Sequence, residues 1–238
     1  MEMLGRRSFI AVAAGAAFTP LLTCAATEVP PLLDHVLLGC DDLDRGIDYV
    51  EQHTGIRAAF GGVHPGRGTR NALLSLGERH YLEVIAPDPK QDRIEQFAQK
   101  QVAQLKQLSS PRLIGWAAHP GDLEKFSAHL REAGVAFDGP RPGSRQRPDG
   151  KLLQWKTLNL KDDKEGLLPF FIEWSVDSLH PSADAPKGCK IKHFGAVNPN
   201  STELGKILTQ LLLDLPVSVG DKPALQATIA GPKGELTL

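Results

Sequence analysis

Two titratable side chains stand inside apolar stretches that have the length of β-strands. His35 lies in the run of residues 33–40, and Glu83 lies in the run of residues 80–85. Burying an imidazole or a carboxylate costs free energy unless a partner compensates it. The two groups can also serve as partners for each other. We therefore expect His35 and Glu83 to face one cavity, where both are available for chemistry.

A glycine-rich segment between these two residues adds candidate binding groups. Residues 61–71 read Gly-Gly-Val-His-Pro-Gly-Arg-Gly-Thr-Arg-Asn. Glycines permit unusual backbone angles and the close approach of a ligand, and Arg67 or Arg70 could hold a carboxylate or a phosphate by two hydrogen bonds. His64, Arg67 and Asn71 are therefore candidate substrate-binding residues. The alternative is a hairpin connection whose arginines are solvated.

The elements that carry these residues follow from the apolar pattern. Residues 33–40 predict a strand, and the acidic residues 41–44 are typical of a helix start. Apolar residues then recur at helical spacing until Thr54-Gly55. Residues 56–60, 71–76 and 80–85 predict three further strands, with a loop over 61–68 and a hairpin turn at Gly77-Glu78.

The same order of elements recurs twice more along the chain. The repeated units cover residues 33–87, 113–176 and 191–238, and the last of them is abbreviated. In the second unit, residues 135–137 predict a strand and residues 139–150 a basic, proline-rich loop. Two such units can close their sheets around a shared cavity. We expect an α+β fold of repeated βαβββ modules that form a curved sheet around a cavity.

Composition limits the class of partner and the compartment. The 238 residues carry a net charge of −1, which gives no electrostatic case for nucleic acid. Residues 1–26 combine adjacent arginines, Arg6 and Arg7, with an apolar run and a small-residue cleavage pattern. They predict a twin-arginine signal peptide, an exported or periplasmic protein, and no membrane attachment after its removal. Cys40 and Cys189 could pair in an oxidising compartment.

The repeat, with histidine on a first strand and glutamate on a fourth, resembles the vicinal oxygen chelate superfamily. Five stretches resemble its glyoxalase-like domain branch more narrowly, and the likeness runs from about Leu33 to the C-terminus. They are Leu-Asp-His at 33–35, His-Pro-Gly-Arg-Gly-Thr-Arg-Asn-Ala-Leu-Leu at 64–74, Tyr-Leu-Glu-Val-Ile-Ala-Pro at 81–87, Arg-Pro-Asp-Gly at 147–150 and Pro-Phe-Phe-Ile-Glu-Trp at 169–174.

The resemblance implies a divalent metal ion, Fe, Mn, Ni or Zn, held between two modules. His35 and Glu83 occupy the ligand positions of the first module, and Glu173 occupies the fourth-strand position of the second, where it is also the candidate catalytic carboxylate. Gly115 stands at the remaining position and supplies no ligand. If the third module pairs with the first, His193 replaces Glu173 as the third ligand. The favoured set is His35, Glu83 and Glu173.

The implied activity is that of a metal-dependent lyase, isomerase or dioxygenase acting on an oxygen-rich small molecule. The alternative is a non-catalytic protein of the same fold that sequesters a small ligand, and a structural partner module is a third hypothesis. A homodimer is also compatible with the resemblance. Buried histidines and glutamates can pair with one another without metal, so the sequence leaves the metal open.

Overall fold

The computed structural model describes residues 29–147 and 149–238, so the expected signal peptide lies outside the described residues. The first unit of the chain is a strand, a helix and three strands. Its elements are β1 (Leu33–Gly39), α1 (Leu43–Thr54), β2 (Ala59–His64), β3 (Thr69–Ser75) and β4 (Tyr81–Pro87).

A helix, α2 (Gln96–Lys106), connects the first unit to the second, and a short helix, α4 (Pro181–Asp184), connects the second to the third. The second unit consists of β5 (Arg112–Ala118), α3 (Leu123–Glu132), β6 (Phe137–Gln146), β7 (Leu152–Leu160) and β8 (Phe170–Trp174). The third consists of β9 (Lys190–Val197), α5 (Ser201–Gln210), β10 (Val217–Ser218), β11 (Ala224–Gly231) and β12 (Gly234–Thr237). Within the part of the chain that the structure describes, no helix is both long and apolar enough to cross a bilayer.

The helix that follows the first strand of each unit begins in the same way. The residues before α1, α3 and α5 are Asp42, Asp122 and Asn200, and the side chain of each accepts a hydrogen bond from a backbone N–H three residues later. Such a cap satisfies a backbone donor that has no partner inside the helix. The acidic helix starts in the sequence therefore mark the true helix boundaries.

The first two units form one curled sheet of eight strands in the order β2-β3-β4-β1-β5-β8-β7-β6. The units join where β1 pairs with β5 in antiparallel register, with Leu37 opposite Gly115. The curl brings the two edge strands together, so that the Arg145 side chain of β6 donates a hydrogen bond to the Gly61 carbonyl of β2. The expected fold class, an α+β fold with a curved sheet, is confirmed.

The third unit has the same order of elements along the chain but pairs its strands differently. It forms a separate sheet in the order β10-β9-β11-β12, in which the first strand lies between the second and the third. Its Phe194 packs edge-on against Trp116 of β5, with ring centroids 5.3 Å apart. The third unit therefore packs against the outer face of the large sheet.

Alternation along the strands decides which side chains face inward. Successive side chains of a strand point to opposite faces of a sheet. On β1, Val36 and Leu38 belong to the main core beneath the helices, and on β4 the same holds for Leu82 and Val84. His35, which directly precedes Val36, and Glu83, which lies between Leu82 and Val84, therefore face the concave side.

Two segments expected to be loops are strands, and two thiols expected as a possible pair are free. Residues 61–64 extend β2, and residues 139–146 belong to β6 in spite of two prolines. Proline is tolerated there because β6 is an edge strand, where a missing N–H removes no ladder hydrogen bond.

Cys40 and Cys189 are both buried and unbridged.

Candidate functional site

His35 and Glu83 contact each other on the concave face of the sheet. Residues 35 and 81 are partners in the parallel pairing of β1 and β4, so Glu83 lies one inward-facing position farther along. The Nε2 atom of His35 lies 3.4 Å from Oε2 of Glu83. The His35 ring also stacks on Tyr81, with centroids 4.4 Å apart.

The second nitrogen of His35 is held by Asp34, which is completely buried. Nδ1 of His35 lies 2.7 Å from Oδ1 of Asp34. The other oxygen, Oδ2, accepts a hydrogen bond of 3.0 Å from Nε1 of Trp174 and lies 3.2 Å from Nε2 of His180. A carboxylate from the first unit is thus stabilised by donors from the end of the second unit and the segment after it.

His64 and Asn71 complete the inner end of this hydrogen-bonded chain. Nδ2 of Asn71 donates a hydrogen bond of 2.7 Å to Oε1 of Glu83 and lies 3.3 Å from Nε2 of His64. That His64 nitrogen is 3.6 Å from Oε1 of Glu83, and the other ring nitrogen is 2.9 Å from the Thr69 hydroxyl. Two of the three candidate substrate-binding residues therefore lie beside the candidate glutamate.

Electrostatics separate the protonation states of the two histidines. Burial alone would lower the pKa of His35, but hydrogen bonds to Asp34 and Glu83 raise the pKa to about 9. Burial lowers the pKa of His64 to about 4, although the charge of Glu83 opposes this. Burial would raise the pKa of Glu83, but the hydrogen bond from His35 is among the contacts that lower it to about 2. At neutral pH an imidazolium, a neutral imidazole and a carboxylate therefore meet here.

The remaining expected ligands and binding residues lie elsewhere. Oε2 of Glu173 accepts a hydrogen bond of 2.7 Å from the Leu123 backbone N–H at the start of α3, so Glu173 contacts a helix end rather than the His35–Glu83 pair. His193 lies opposite Thr228 in the second sheet. These positions correct the expected convergence of Glu173 or His193 on the pair.

Arg67 is close to the site without joining it. Its guanidinium lies over the Phe97 ring of α2, with its carbon 5.7 Å from the ring centroid. That contact places the side chain against a helix, although its charge contributes to the lowered pKa of His64. Arg67 is therefore a neighbour of the site rather than a donor inside it.

Two cavities flank the hydrogen-bonded chain. One of about 260 Å³ is bordered by Glu173, His119 and His180, on the side of Asp34 away from Glu83. The other, of about 180 Å³, is bordered by Leu73, the register partner of Glu83 on β3, and by Arg145 of β6. The smaller cavity is bordered by this sheet neighbour of Glu83 rather than by Glu83 itself, and it is small by the standard of ligand sites.

The arrangement of donors does not fit the implied metal ion. Within residues 29–147 and 149–238, no group of three or more His, Cys, Asp or Glu side chains is arranged to hold a metal ion. Of the expected ligands only His35 and Glu83 lie together, and they face each other directly. Asn71 turns its N–H groups, rather than its oxygen, toward Glu83, and an N–H group cannot bind a cation.

Comparisons with known proteins agree with this fold. A family model described as a glyoxalase-like domain matches residues 33–212. The structure of a hypothetical protein from Staphylococcus aureus is similar with a TM-score of 0.61 and 17% identity, covering 86% of this chain and 83% of that one. A comparison with curated proteins found no significant match.

Two epimerase structures are also similar to this chain, with lower TM-scores. Methylmalonyl-CoA epimerase from Mycobacterium tuberculosis has a TM-score of 0.43 and 19% identity, covering 65% of this chain and 92% of that one. A Streptomyces coelicolor methylmalonyl-CoA epimerase variant in complex with 2-nitronate-propionyl-CoA has a TM-score of 0.44 and 20% identity, covering 63% and 99%.

Proposed function

Since this chain belongs to the glyoxalase-like domain family, we propose that it is an enzyme that transfers a proton within a small oxygen-rich molecule, as an isomerase or a lyase. The observation that carries the proposal is the buried chain from Asp34 through His35 to Glu83, which ends on the concave face. A base whose partner is itself oriented by a third group is a recurring arrangement in catalysis.

Glu83 is the proton acceptor in this proposal. About a tenth of its side chain is exposed, whereas His35 is almost fully buried behind it. Only the carboxylate can therefore approach a carbon next to a substrate carbonyl. His35 holds the carboxylate in place, and Asp34 fixes the orientation of the imidazole through Nδ1.

Asn71 is the group that contacts the developing oxyanion, and His64 holds the Asn71 amide in place. The amide N–H group of Asn71 lies beside Oε1 of Glu83, so a carbonyl oxygen that reaches the carboxylate also reaches this donor. Donors that are positioned before the reaction stabilise the charge that appears in the transition state. The imidazolium of His35 adds a fixed positive charge close by.

No step of this proposal is routed through the divalent ion that the family resemblance implies. Among the described residues, no group of three or more His, Cys, Asp or Glu side chains is arranged to hold one. Metal analysis of the purified protein, alongside His35→Ala, tests the ion independently. Stoichiometric metal that is lost in the variant would replace the proton-transfer proposal with a metal-assisted one.

Exchange of substrate protons with solvent tests the proposal directly. Small carbonyl compounds, such as 2-oxo acids, 2-hydroxy ketones and their aldehydes, would be incubated with the protein in D₂O and followed by NMR. We expect exchange at the carbon next to the carbonyl for at least one compound, and Glu83→Gln to slow it by about 100-fold or more. Glu173→Gln is the matched control, because it removes a carboxylate of the second unit from outside the site, and it should leave exchange unchanged.

The second candidate function is sequestration of a small ligand without turnover. The observation that favours it is that both oxygens of Glu83 have partners and that its pKa is lowered to about 2, which makes it a weak base in the free protein. Ligands that raise the melting temperature but exchange no proton, in the wild type as in Glu83→Gln, would establish this function instead.

A further inference from the structure

Arg145 is a buried cation with unused hydrogen-bond donors. It lies on β6, only 5% of it is exposed, and Nη1 donates to the Gly61 carbonyl of β2. Among the described residues, no carboxylate lies within the 4.0 Å of an ion pair with it. The charge of Glu83 acts on it only at longer range.

The neighbouring arginine provides a contrast. Arg147 is paired with Asp149 and Asp184 at the border of the same cavity, so its charge is compensated within the protein. Arg145 has one carbonyl partner, although a guanidinium carries five N–H groups. A buried charge without a counter-ion costs several kcal/mol, and a ligand anion removes that cost.

The cavity beside Arg145 has the size and polarity for a small monoanion. Its volume is about 180 Å³, and its charged border residues are the two arginines Arg145 and Arg147 with Asp149 and Asp184. Of these four residues, Arg145 alone has no ion-pair partner among the described residues, and the two aspartates disfavour a dianion such as phosphate. The apolar remainder of the border includes Leu73, Leu153 and Ala185.

We propose that Arg145 binds the carboxylate of the substrate, so that the substrate is a small organic monocarboxylate. The fork of the guanidinium matches the two oxygens of a carboxylate. Since Leu73 borders the cavity and is the register partner of Glu83, a carboxylate on Arg145 directs the rest of the molecule toward the reactive carboxylate. The inference rests on the proposed function in that it calls the bound molecule a substrate, whereas binding of the carboxylate to Arg145 does not require turnover.

Thermal shift and calorimetry with pyruvate, methyl pyruvate and inorganic phosphate test the inference. We expect pyruvate to bind the wild type, and methyl pyruvate, which lacks the charge, to bind at least about tenfold more weakly. Phosphate should compete poorly with pyruvate. Tighter binding of phosphate, or equal binding of the ester, would overturn the assignment to a carboxylate.

Variants separate Arg145 from its neighbours. Arg145→Gln and Arg145→Lys should each weaken pyruvate binding by about tenfold or more, the second because an ammonium keeps the charge but loses the fork. Arg141→Gln is the control, since Arg141 lies on the same strand with 63% of its side chain exposed, and it should bind as the wild type does. Pyruvate binding that survives in folded Arg145→Lys would overturn the inference.

The failure of this inference is distinguishable from the failure of the proposed function. Glu83→Gln should lose proton exchange and keep pyruvate binding, because the carboxylate partner is Arg145. If the wild type binds pyruvate through Arg145 but exchanges no proton, only the catalytic proposal fails. If exchange is seen with neutral ketones and none of the carboxylates binds, only the carboxylate site fails.

Discussion

Replacing Asp34 by Asn removes one negative charge from the centre of the site while keeping its volume. Asp34 is fully buried, and the folded protein raises the pKa of His35 from 6.5 to about 9 through Asp34 and Glu83. At about 1.4 kcal/mol per pH unit, that shift corresponds to roughly 3 kcal/mol of stability. Breaking a buried pair from one side costs about 3–5 kcal/mol, so we expect Asp34→Asn to lower the unfolding free energy by an amount of that order.

The sign of the pH dependence follows from the raised pKa. Stability contributed by the His35 charge is complete below pH 6.5 and is lost as the pH rises through about 9. The titratable groups that face His35 are Asp34, Glu83, His64 and Tyr81. Of these, the two carboxylates are ionised and His64 is neutral throughout that window, and the raised pKa of Tyr81 keeps it neutral.

Urea denaturation at pH 6, 7.5, 9 and 10 measures both effects. The wild type should lose stability between pH 7 and 10, and Asp34→Asn should be less stable at pH 7 with a flatter profile. Asp177→Asn, an exposed residue, is the control and should change stability by less than about 0.5 kcal/mol. A cost below about 1 kcal/mol for Asp34→Asn, together with an unchanged pH profile, would refute the account of His35 as a charge held by Asp34.

Three further predictions concern other parts of the molecule. Glu173→Ala should lower the free energy of unfolding by about 1 kcal/mol, since it removes a hydrogen-bond acceptor at the start of α3. Urea denaturation measures this, and an unchanged midpoint would contradict that role. Arg6→Lys with Arg7→Lys should leave the precursor in the cytoplasm on cell fractionation, and export through the general secretory route would contradict the twin-arginine prediction. Gly46→Ala should destabilise by about 1–3 kcal/mol because its added carbon would lie 2.5 Å from a thiol sulfur, whereas Gly205→Ala in α5 meets open space and should stabilise by up to about 1 kcal/mol. Calorimetric melting compares the two glycine variants, and equal effects would contradict the packing argument.

The architecture was accessible from the sequence because local signals and burial agree. Gly39 ends β1, Gly68 precedes β3, and the acidic turn before α1 supplies the residue that caps it. The polar residues His35 and Glu83 interrupt apolar runs, and alternation then places both on the concave face. These features depend on neighbours in the chain, which a sequence displays.

Glu173 shows where this reasoning fails. Tyr81-Leu82-Glu83-Val84 aligns with Phe171-Ile172-Glu173-Trp174, yet Phe171 belongs to the core under the helices, so Glu173 points outward. Both strands are apolar on both sides of the glutamate. A shift of one residue therefore exchanges the faces without changing the pattern, and only pairing across the sheet fixes the phase.

The strand β6 could not be predicted from the sequence either. Its glycines and prolines are typical of a loop, and the strand exists because β7 pairs with it along one side. The sequence gives only a weak indication that Asp34 belongs to the site, namely that it directly precedes His35. Its contacts with Trp174 and His180 join residues about 140 positions apart, and such contacts follow from the tertiary fold alone.

The approach of β2 to β6 has a consequence for the behaviour of the protein in concentrated solution. An exposed sheet edge is a template on which other chains can add strands. Here each edge strand shields the other, and the Arg145 side chain bridges them through the Gly61 carbonyl, while Pro140 and Pro142 deny β6 two N–H donors. The seam between β2 and β6 is therefore the place at which self-association of this sheet would begin if the contact between Arg145 and the Gly61 carbonyl were lost.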